Sequence, residues 1–192
     1  NPVQDFIASC DVALVVGSFL QYGATVGTAL RMPETIIHVL LDGESIGKNY
    51  PSAIPIVANS KAAIAQIISI IGDKDVDKGD SLRREVSELR RQIYEGLKEQ
   101  WPTELYALEA MRSVLPRDTV TCWDPTVPTS RASRCFETYQ PRTFMLPHGW
   151  AGLGFGFPAS LGAKLARPGS PVVCVTGDGG FQYNMQELAT AA

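Results

Sequence analysis

A strand-like run followed by a glycine-rich turn places one carboxylate where a phosphate group could bind. The apolar residues 172–176 lead into the turn 177–180 (Gly-Asp-Gly-Gly), and a helix is predicted to begin near Asn184. Ligands of open parallel sheets bind at the carboxyl ends of strands, where glycines and a helix N-terminus offer backbone N–H groups to phosphate. Because a carboxylate repels phosphate unless a divalent cation bridges them, Asp178 is a candidate Mg²⁺ ligand for a diphosphate. The alternative is that Asp178 only caps the next helix and the glycines only form a tight turn.

A second glycine cluster lies upstream, where Gly149, Gly152, Gly154 and Gly156 fall within eight positions. Their spacing does not give GxGxxG directly after a strand, so the cluster is a poor match to a dinucleotide-binding loop. We expect these glycines to let a helix start approach a ligand or a neighbouring chain closely. A nucleotide-dependent oxidoreductase, with Asp42 binding a ribose hydroxyl, is the weaker enzyme alternative because that motif is missing.

Alternating strand and helix patterns must position both clusters. Residues 11–17, 35–42 and 54–58 are apolar runs typical of buried strands, and residues 60–71 place most of their isoleucines on one helix face. This alternation predicts a parallel α/β sheet with flanking helices. The first run is expected to be buried on both faces.

A polar and charged segment, residues 72–81, has the composition of an interdomain linker. The elements expected after it are a long amphipathic helix over 82–97 that ends before Pro102, a helix over about 104–115, a strand over 119–123, a loop-rich passage over 124–141 and a helix over 159–166. The second half is therefore also predicted to be α/β.

The bulk composition is that of an ordinary globular protein, with 192 residues of which 45% are hydrophobic and 19% charged. The net charge of −3 gives no electrostatic reason to expect a nucleic-acid or membrane partner. The four cysteines include no CxxC pair, and the two histidines, His38 and His148, are too few and too far apart in sequence to argue for a zinc site. With no apolar run of membrane-spanning length and no signal-peptide pattern at the start, we expect a cytoplasmic protein with reduced thiols.

The glycine clusters resemble the diphosphate-binding domain of thiamine-diphosphate enzymes, in the group of acetolactate synthase, glyoxylate carboligase and benzoylformate decarboxylase. The similarity covers residues 141–166, which begin Pro-Arg-Thr and contain the glycine cluster, and residues 171–189, which contain Gly-Asp-Gly-Gly-Phe and then Gln-Glu-Leu. Residues 36–39 and 44–50 are similar to the end of the family's central, Rossmann-like domain. The resemblance implies thiamine diphosphate and Mg²⁺ as cofactors, and it leaves FAD in the central domain open.

The resemblance also implies roles for individual residues. Asp178 would ligate Mg²⁺, and Leu153 would wedge between the two cofactor rings, with ordinary core packing as its alternative. The main-chain carbonyl near Ala151 would accept from the 4′-amino group of the cofactor, and Thr126 and Ser130 could donate to phosphate. The predicted cofactor-binding residues are, in full, Ala151, Gly152, Leu153, Gly177, Asp178, Gly179, Gly180 and Phe181.

Some parts of the family's site have no counterpart in this chain. The family's second metal ligand is an Asn about 25–30 residues beyond the Gly-Asp-Gly, so Asn184 is too close to be that residue. The glutamate that protonates the aminopyrimidine belongs to the family's N-terminal domain, and no catalytic residue is assigned here. A family Gln-His pair is replaced by residues 125–130 (Pro-Thr-Val-Pro-Thr-Ser), which argues against a strict acetolactate synthase. His148 could face the substrate or be an ordinary loop histidine.

The expected organisation is the C-terminal part of a central Rossmann-like domain over 1–72, a linker and long helix over 73–103, and the N-terminal part of a diphosphate-binding domain over 104–192. Because residues 191–192 still have a helical pattern, both ends are expected to be cut and the chain to be inactive alone. The parent enzyme would act on a small 2-oxo acid as a homodimer or homotetramer. A non-catalytic binding or regulatory module that keeps the fold is the alternative from another class. The substrate and its acceptor stay open.

Overall fold

The computed structural model describes residues 2–21, 30–72 and 79–192, and the chain divides into two compact units. The first unit ends at Ile93 and the second begins at Tyr94. Each unit contains one three-stranded parallel sheet with helices beside it, which confirms the predicted fold class. The domain boundaries expected from the sequence stay a prediction, and residues 73–78 of the expected linker lie outside the described residues.

The first unit is built on strands in the spatial order β1-β2-β3. Its elements are α1 (Pro2–Ala8), β1 (Val12–Val16), β2 (Thr35–Leu40), a 3₁₀ turn (Gly43–Ser45), β3 (Ile54–Val57), α2 (Ser60–Ile71) and the first part of α3 (Gly79–Gln100). All three predicted strands and the helix over 60–71 are present. The α-helix at the start, α1, was not predicted.

Strand β1 is not buried on both faces, so that prediction was wrong. Val12 and Leu14 are 48% and 49% exposed. In the part of the first unit that the structure describes, only β2 has a strand on each side, pairing in parallel with β1 and with β3. It carries the buried Ile36, His38 and Val39. An apolar run therefore identified the strand but not its place in the sheet.

The second unit is built on strands in the spatial order β5-β4-β6. Its elements are the end of α3, α4 (Pro102–Val114), β4 (Val120–Trp123), α5 (Val127–Cys135), β5 (Phe144–Met145), α6 (Gly156–Ala166), β6 (Val172–Val175), α7 (Asp178–Tyr183), a 3₁₀ turn (Met185–Glu187) and α8 (Leu188–Ala191). Pro102 separates α3 from α4, because proline fits the first turn of a helix but not its interior. Over the described ranges, no helix is both long and apolar enough to cross a membrane.

Helix α5 lies in the passage predicted to be loop-rich, which corrects that expectation. Its first turn is capped by Thr126, whose side chain accepts from the Thr129 N–H, and Pro128 occupies the first turn, where a proline costs no hydrogen bond. Ala132 and Phe136 then pack against the fully buried Trp123, whose ring centroid lies 5.2 Å from that of Phe136. Tertiary packing on an aromatic core overrides a polar and proline-containing sequence.

Candidate functional site

The carboxyl ends of β4 and β6 bring two connecting turns to one edge of the second sheet. The strands pair in parallel with Trp123 opposite Val175, so Asp124 and Thr176 leave the sheet side by side. Chains that leave parallel strands at this end form the usual ligand crevice of α/β sheets. The site predicted around Asp178 therefore lies at the expected edge.

A helix, α7, begins at Asp178, earlier than predicted, and the helical segment expected from near Asn184 follows as the 3₁₀ turn 185–187 and the short α8. Gly177 is extended, and its carbonyl accepts from the Phe181 N–H at 2.9 Å, so the turn 177–180 forms the first turn of the helix itself. Asp178 and Gly179 are exposed, whereas Gly180 is buried. The carboxylate thus stands at the positively polarised end of a short helix, with open space over Gly179.

A buried carboxylate that the sequence analysis did not single out lies beneath this turn. Asp124 is fully buried. Its Oδ1 accepts from the Gly156 N–H at 2.8 Å, and its Oδ2 accepts from the Gly154 N–H at 3.1 Å. The Thr176 hydroxyl lies 3.3 Å from the same Oδ2. The sequence does show an aspartate directly after a predicted strand. It does not show that this strand pairs with the strand that leads into Gly-Asp-Gly-Gly.

Two glycines of the upstream cluster, Gly154 and Gly156, lie close to Asp124 and to the end of α7. The sequence analysis had expected them to approach a ligand or a neighbouring chain instead. A Cβ on Gly156 would lie 3.0 Å from the Asp124 nitrogen. Gly154 has φ +87°, and a Cβ there would lie 2.8 Å from the Tyr183 Cβ. Both positions need glycine because protein atoms already occupy the space.

The loop before Gly154 is exposed and holds three of the predicted site residues. Ala151 has the left-handed φ of +48°, and its N–H donates to the Pro147 carbonyl at 3.0 Å. Leu153 is 50% exposed, which argues against the core-packing alternative for this side chain. Within 4 Å, a Cβ added to Gly152 would meet no neighbour in the part of the chain that the structure describes.

Contacts between Gly154 and Gly180 bring the loop and the α7 turn together. A Cβ on Gly154 would lie 3.4 Å from the Gly180 carbonyl oxygen, and a Cβ on Gly180 would overlap Oδ2 of Asp124. Phe181 contacts Phe157 of α6 edge-on, with 5.2 Å between ring centroids. The predicted residues 151–153 and 177–181 thus belong to two neighbouring segments of one unit.

Other predicted polar groups are engaged with the protein itself. The Thr126 hydroxyl caps α5, and the Ser130 hydroxyl donates to the Val127 carbonyl at 2.8 Å. His148 is exposed on the loop. Among the described residues, no group of three His, Cys, Asp or Glu side chains is placed to hold a metal ion, so Asp178 would need oxygen ligands from a bound phosphate.

Two thiols lie under the site, on the face of the sheet that packs against α6. Cys122 of β4 is directly opposite Cys174 of β6 in the parallel register. Burial, with a smaller contribution from Cys174, raises the pKa of the Cys122 thiol to about 11, and burial also raises the pKa of Cys174. None of the four cysteines, all of which lie among the described residues, forms a disulfide.

Comparison with known families identifies the family of the chain. Residues 127–192 match the thiamine pyrophosphate enzyme, C-terminal TPP binding domain, and residues 1–67 match the thiamine pyrophosphate enzyme, central domain. The chain belongs to the thiamine pyrophosphate enzymes. The match to the TPP-binding domain contains every predicted cofactor-binding residue, from Ala151 to Phe181, and begins three residues after Asp124.

Curated relatives of this thiamine pyrophosphate enzyme chain carry synthase and decarboxylase names. It is 30% identical to a probable acetolactate synthase large subunit of Methanocaldococcus jannaschii, over 96% of the chain and 33% of the relative. It is 29% identical to a probable 2-ketoarginine decarboxylase of Pseudomonas aeruginosa, over 100% of the chain and 34% of the relative. Identity to acetolactate synthase isozyme 3 large subunit of Escherichia coli is 30%, over 95% of the chain and 33% of the relative. The chain spans about a third of the length of these relatives.

Proposed function

We propose that the protein containing this chain is a thiamine-diphosphate- and Mg²⁺-dependent enzyme that decarboxylates or carboligates a 2-oxo acid, in the manner of an acetolactate synthase. The observation that carries the proposal is the exposed Asp178 at the start of α7, on the carboxyl edge of a parallel sheet inside the matched TPP-binding domain. The names of its relatives support the substrate class, since both acetolactate synthases and a 2-ketoarginine decarboxylase are among them.

The residues of the α7 turn fit a diphosphate and its metal ion. Asp178 supplies the anionic oxygen that Mg²⁺ prefers, and a bound diphosphate would supply further oxygen ligands. The first N–H groups of a helix lack carbonyl partners within the helix and favour anions. Gly177 and Gly179 add no side chain that would keep a phosphate away from this backbone, and the space at Gly179 is open.

The exposed loop fits the other end of the cofactor. Leu153 offers an apolar side chain that is half exposed, as a residue packing between two cofactor rings requires. Ala151 holds a left-handed backbone conformation, and its carbonyl is the proposed acceptor for the amino group of the aminopyrimidine. Thiamine diphosphate, when bound, supplies the electron sink for breaking the bond next to the keto carbon. The chain's own part is to bind, orient and bend the cofactor.

We assign no catalytic residue to this chain, and we expect the 192-residue chain alone to bind the cofactor weakly and to turn over little substrate. The resemblance implies that the activating glutamate belongs to the family's N-terminal domain. It also implies a homodimer or homotetramer whose sites form between subunits. FAD has no supporting observation in the first unit and is left out of the proposal.

Calorimetric titration of thiamine diphosphate with Mg²⁺ into the intact protein tests the proposal. Asp178→Ala should abolish metal-dependent binding, because it removes the only carboxylate proposed to hold the ion. Asp118→Ala is the matched control, since it removes the same charge just before β4, at the opposite end of that strand. Saturable, metal-dependent binding by the wild-type protein and by Asp118→Ala, but not by Asp178→Ala, supports the enzyme. Failure of a folded wild-type protein to bind would instead favour the non-catalytic module.

A further inference from the structure

Gly154 is held through both of its backbone polar groups, the N–H and the carbonyl, by buried or half-buried side chains. Its N–H donates to Oδ2 of Asp124 at 3.1 Å, and its carbonyl accepts from Nδ2 of Asn184 at 2.7 Å. Asp124 follows β4, whereas Asn184 follows α7. The two peptide groups that flank Gly154 are therefore each fixed to a different segment of the second unit.

Asp124 joins this peptide to the rest of the site. Its Oδ1 accepts from the Gly156 N–H at 2.8 Å, which fixes the start of α6. Its Oδ2 lies 3.3 Å from the Thr176 hydroxyl and so close to Gly180 that no Cβ fits there. A carboxylate that is fully buried and bonded through both oxygens has only one orientation available.

The position of Gly154 makes this arrangement relevant to the cofactor site. Leu153 directly precedes Gly154, and Ala151 is three residues upstream. The orientation of the backbone at Gly154 therefore sets where both residues lie. The α7 turn with Asp178 is attached to the same contacts through Gly180 and Asn184. The two segments proposed to hold opposite ends of the cofactor thus meet at Gly154.

We propose that Asp124 and Asn184 are positioning residues that clamp the backbone on both sides of Gly154 and set the loop 149–154 against the α7 turn before the cofactor binds. The cofactor part of this inference rests on the proposed function. The clamp itself does not, because it is a property of the protein without ligand. Neither residue is proposed to touch the cofactor, and the Asn184 amide is engaged with Gly154 and with Gln186.

Hydrogen exchange of the unliganded intact protein tests the clamp without reference to function. Asp124→Asn replaces one accepting oxygen by a donor, so at least one of the two glycine N–H groups loses its partner. Asn184→Ala removes the bond to the Gly154 carbonyl and, being only half-buried, leaves the core intact. Loss of one such bond makes local opening about tenfold more frequent, so exchange over 149–156 should rise about tenfold in both variants.

Thr121→Val is the matched control. It removes a buried hydrogen bond of 3.1 Å from Thr121 to the Thr143 carbonyl in the same sheet, away from the loop. It should lower the melting temperature while leaving exchange over 149–156 unchanged. Equal exchange in all variants, or a rise in the control as large as in Asn184→Ala, would overturn the clamp.

Cofactor titration distinguishes positioning from a general loss of structure. If the clamp keeps the loop in its binding geometry, losing it lowers the competent fraction and weakens the apparent affinity for thiamine diphosphate by about tenfold. Saturating thiamine diphosphate and Mg²⁺ should then restore wild-type exchange over 149–156. Unchanged affinity in Asn184→Ala would refute the cofactor part. A wild-type protein that does not bind would refute the proposed function, and the unliganded exchange data would still decide the clamp.

Discussion

Gly180→Ala should destabilise the second unit strongly although the residue lies in a helix. A Cβ at this position would overlap Oδ2 of Asp124 and would lie 3.0 Å from its Cγ and 3.2 Å from the Thr176 Oγ1. Asp124 cannot turn away without breaking its bonds to the Gly154 and Gly156 N–H groups. The methyl group therefore forces either the carboxylate or the helix to move.

The magnitude follows from the bonds at stake. A hydrogen bond to a charged group contributes about 1.5–3 kcal/mol, and a buried carboxylate left partly unsatisfied costs a similar amount. Alanine is a better helix former than glycine by about 1 kcal/mol, which offsets part of the loss. Gly180→Ala should therefore lower the free energy of unfolding by about 2–4 kcal/mol. Gly179→Ala, one residue earlier, should leave it unchanged or raise it by up to about 1 kcal/mol.

Urea unfolding followed by tryptophan fluorescence measures this difference selectively. The three tryptophans, Trp101, Trp123 and Trp150, all belong to the second unit, so the signal reports the unfolding of that unit. A midpoint shift at constant slope gives the change in stability. Equal midpoints for the two alanine variants would show that Asp124 does not occupy the space beside Gly180, and the reasoning on the site would fail with it.

Three further predictions follow from other parts of the second unit. Trp123→Ala should cost about 3–5 kcal/mol by removing the fully buried centre of the aromatic cluster, and calorimetric melting would show it; an unchanged melting temperature would contradict this core. Thr126→Ala should cost about 1 kcal/mol by removing the cap of α5, as measured by urea unfolding, whereas Thr126→Ser should cost less, and identical losses would exclude the cap. Burial raises the folded-state pKa of Cys122 from 9.0 to about 11, so the unfolded chain loses this thiol proton at lower pH than the folded chain does. The free energy of unfolding should therefore fall as the pH rises from about 9 to 11. The Cys122→Ala variant, followed in parallel, should show a shallower fall.

Local sequence patterns were enough to predict five of the six described strands and their parallel arrangement, whereas the two-residue β5 was not predicted. Glycine after an apolar run and isoleucines at helical spacing are short-range signals, and all three strands of the first unit appear where they were expected. The family resemblance assigned the two glycine segments to a thiamine-diphosphate-binding domain. The matches to the TPP-binding and central domains confirm the family. The individual roles of Leu153 and Asp178 stay predictions, because they concern a ligand.

The predictions that failed depended on contacts between distant residues. Helix α5 forms because Thr126 caps it and Trp123 packs on it, and its polar sequence gave no helical periodicity. Asp124 was missed because its partners lie 30 to 52 positions away in sequence. The glycines at 154, 156 and 180 were expected to face a ligand, but their nearest neighbours include an aspartate that no local pattern singles out.

The half-exposed edge of the first sheet has a practical consequence for handling this chain. Among the described residues, β1 and β3 are the outer strands of this sheet, and Val12, Leu14, Ile54 and Val57 are 48% to 64% exposed on them. Unpaired strand edges with apolar side chains are templates for pairing with another copy. Samples of the 192-residue chain should therefore self-associate as the protein concentration rises. The substitution Leu14→Lys should improve solubility more than any substitution near Asp178.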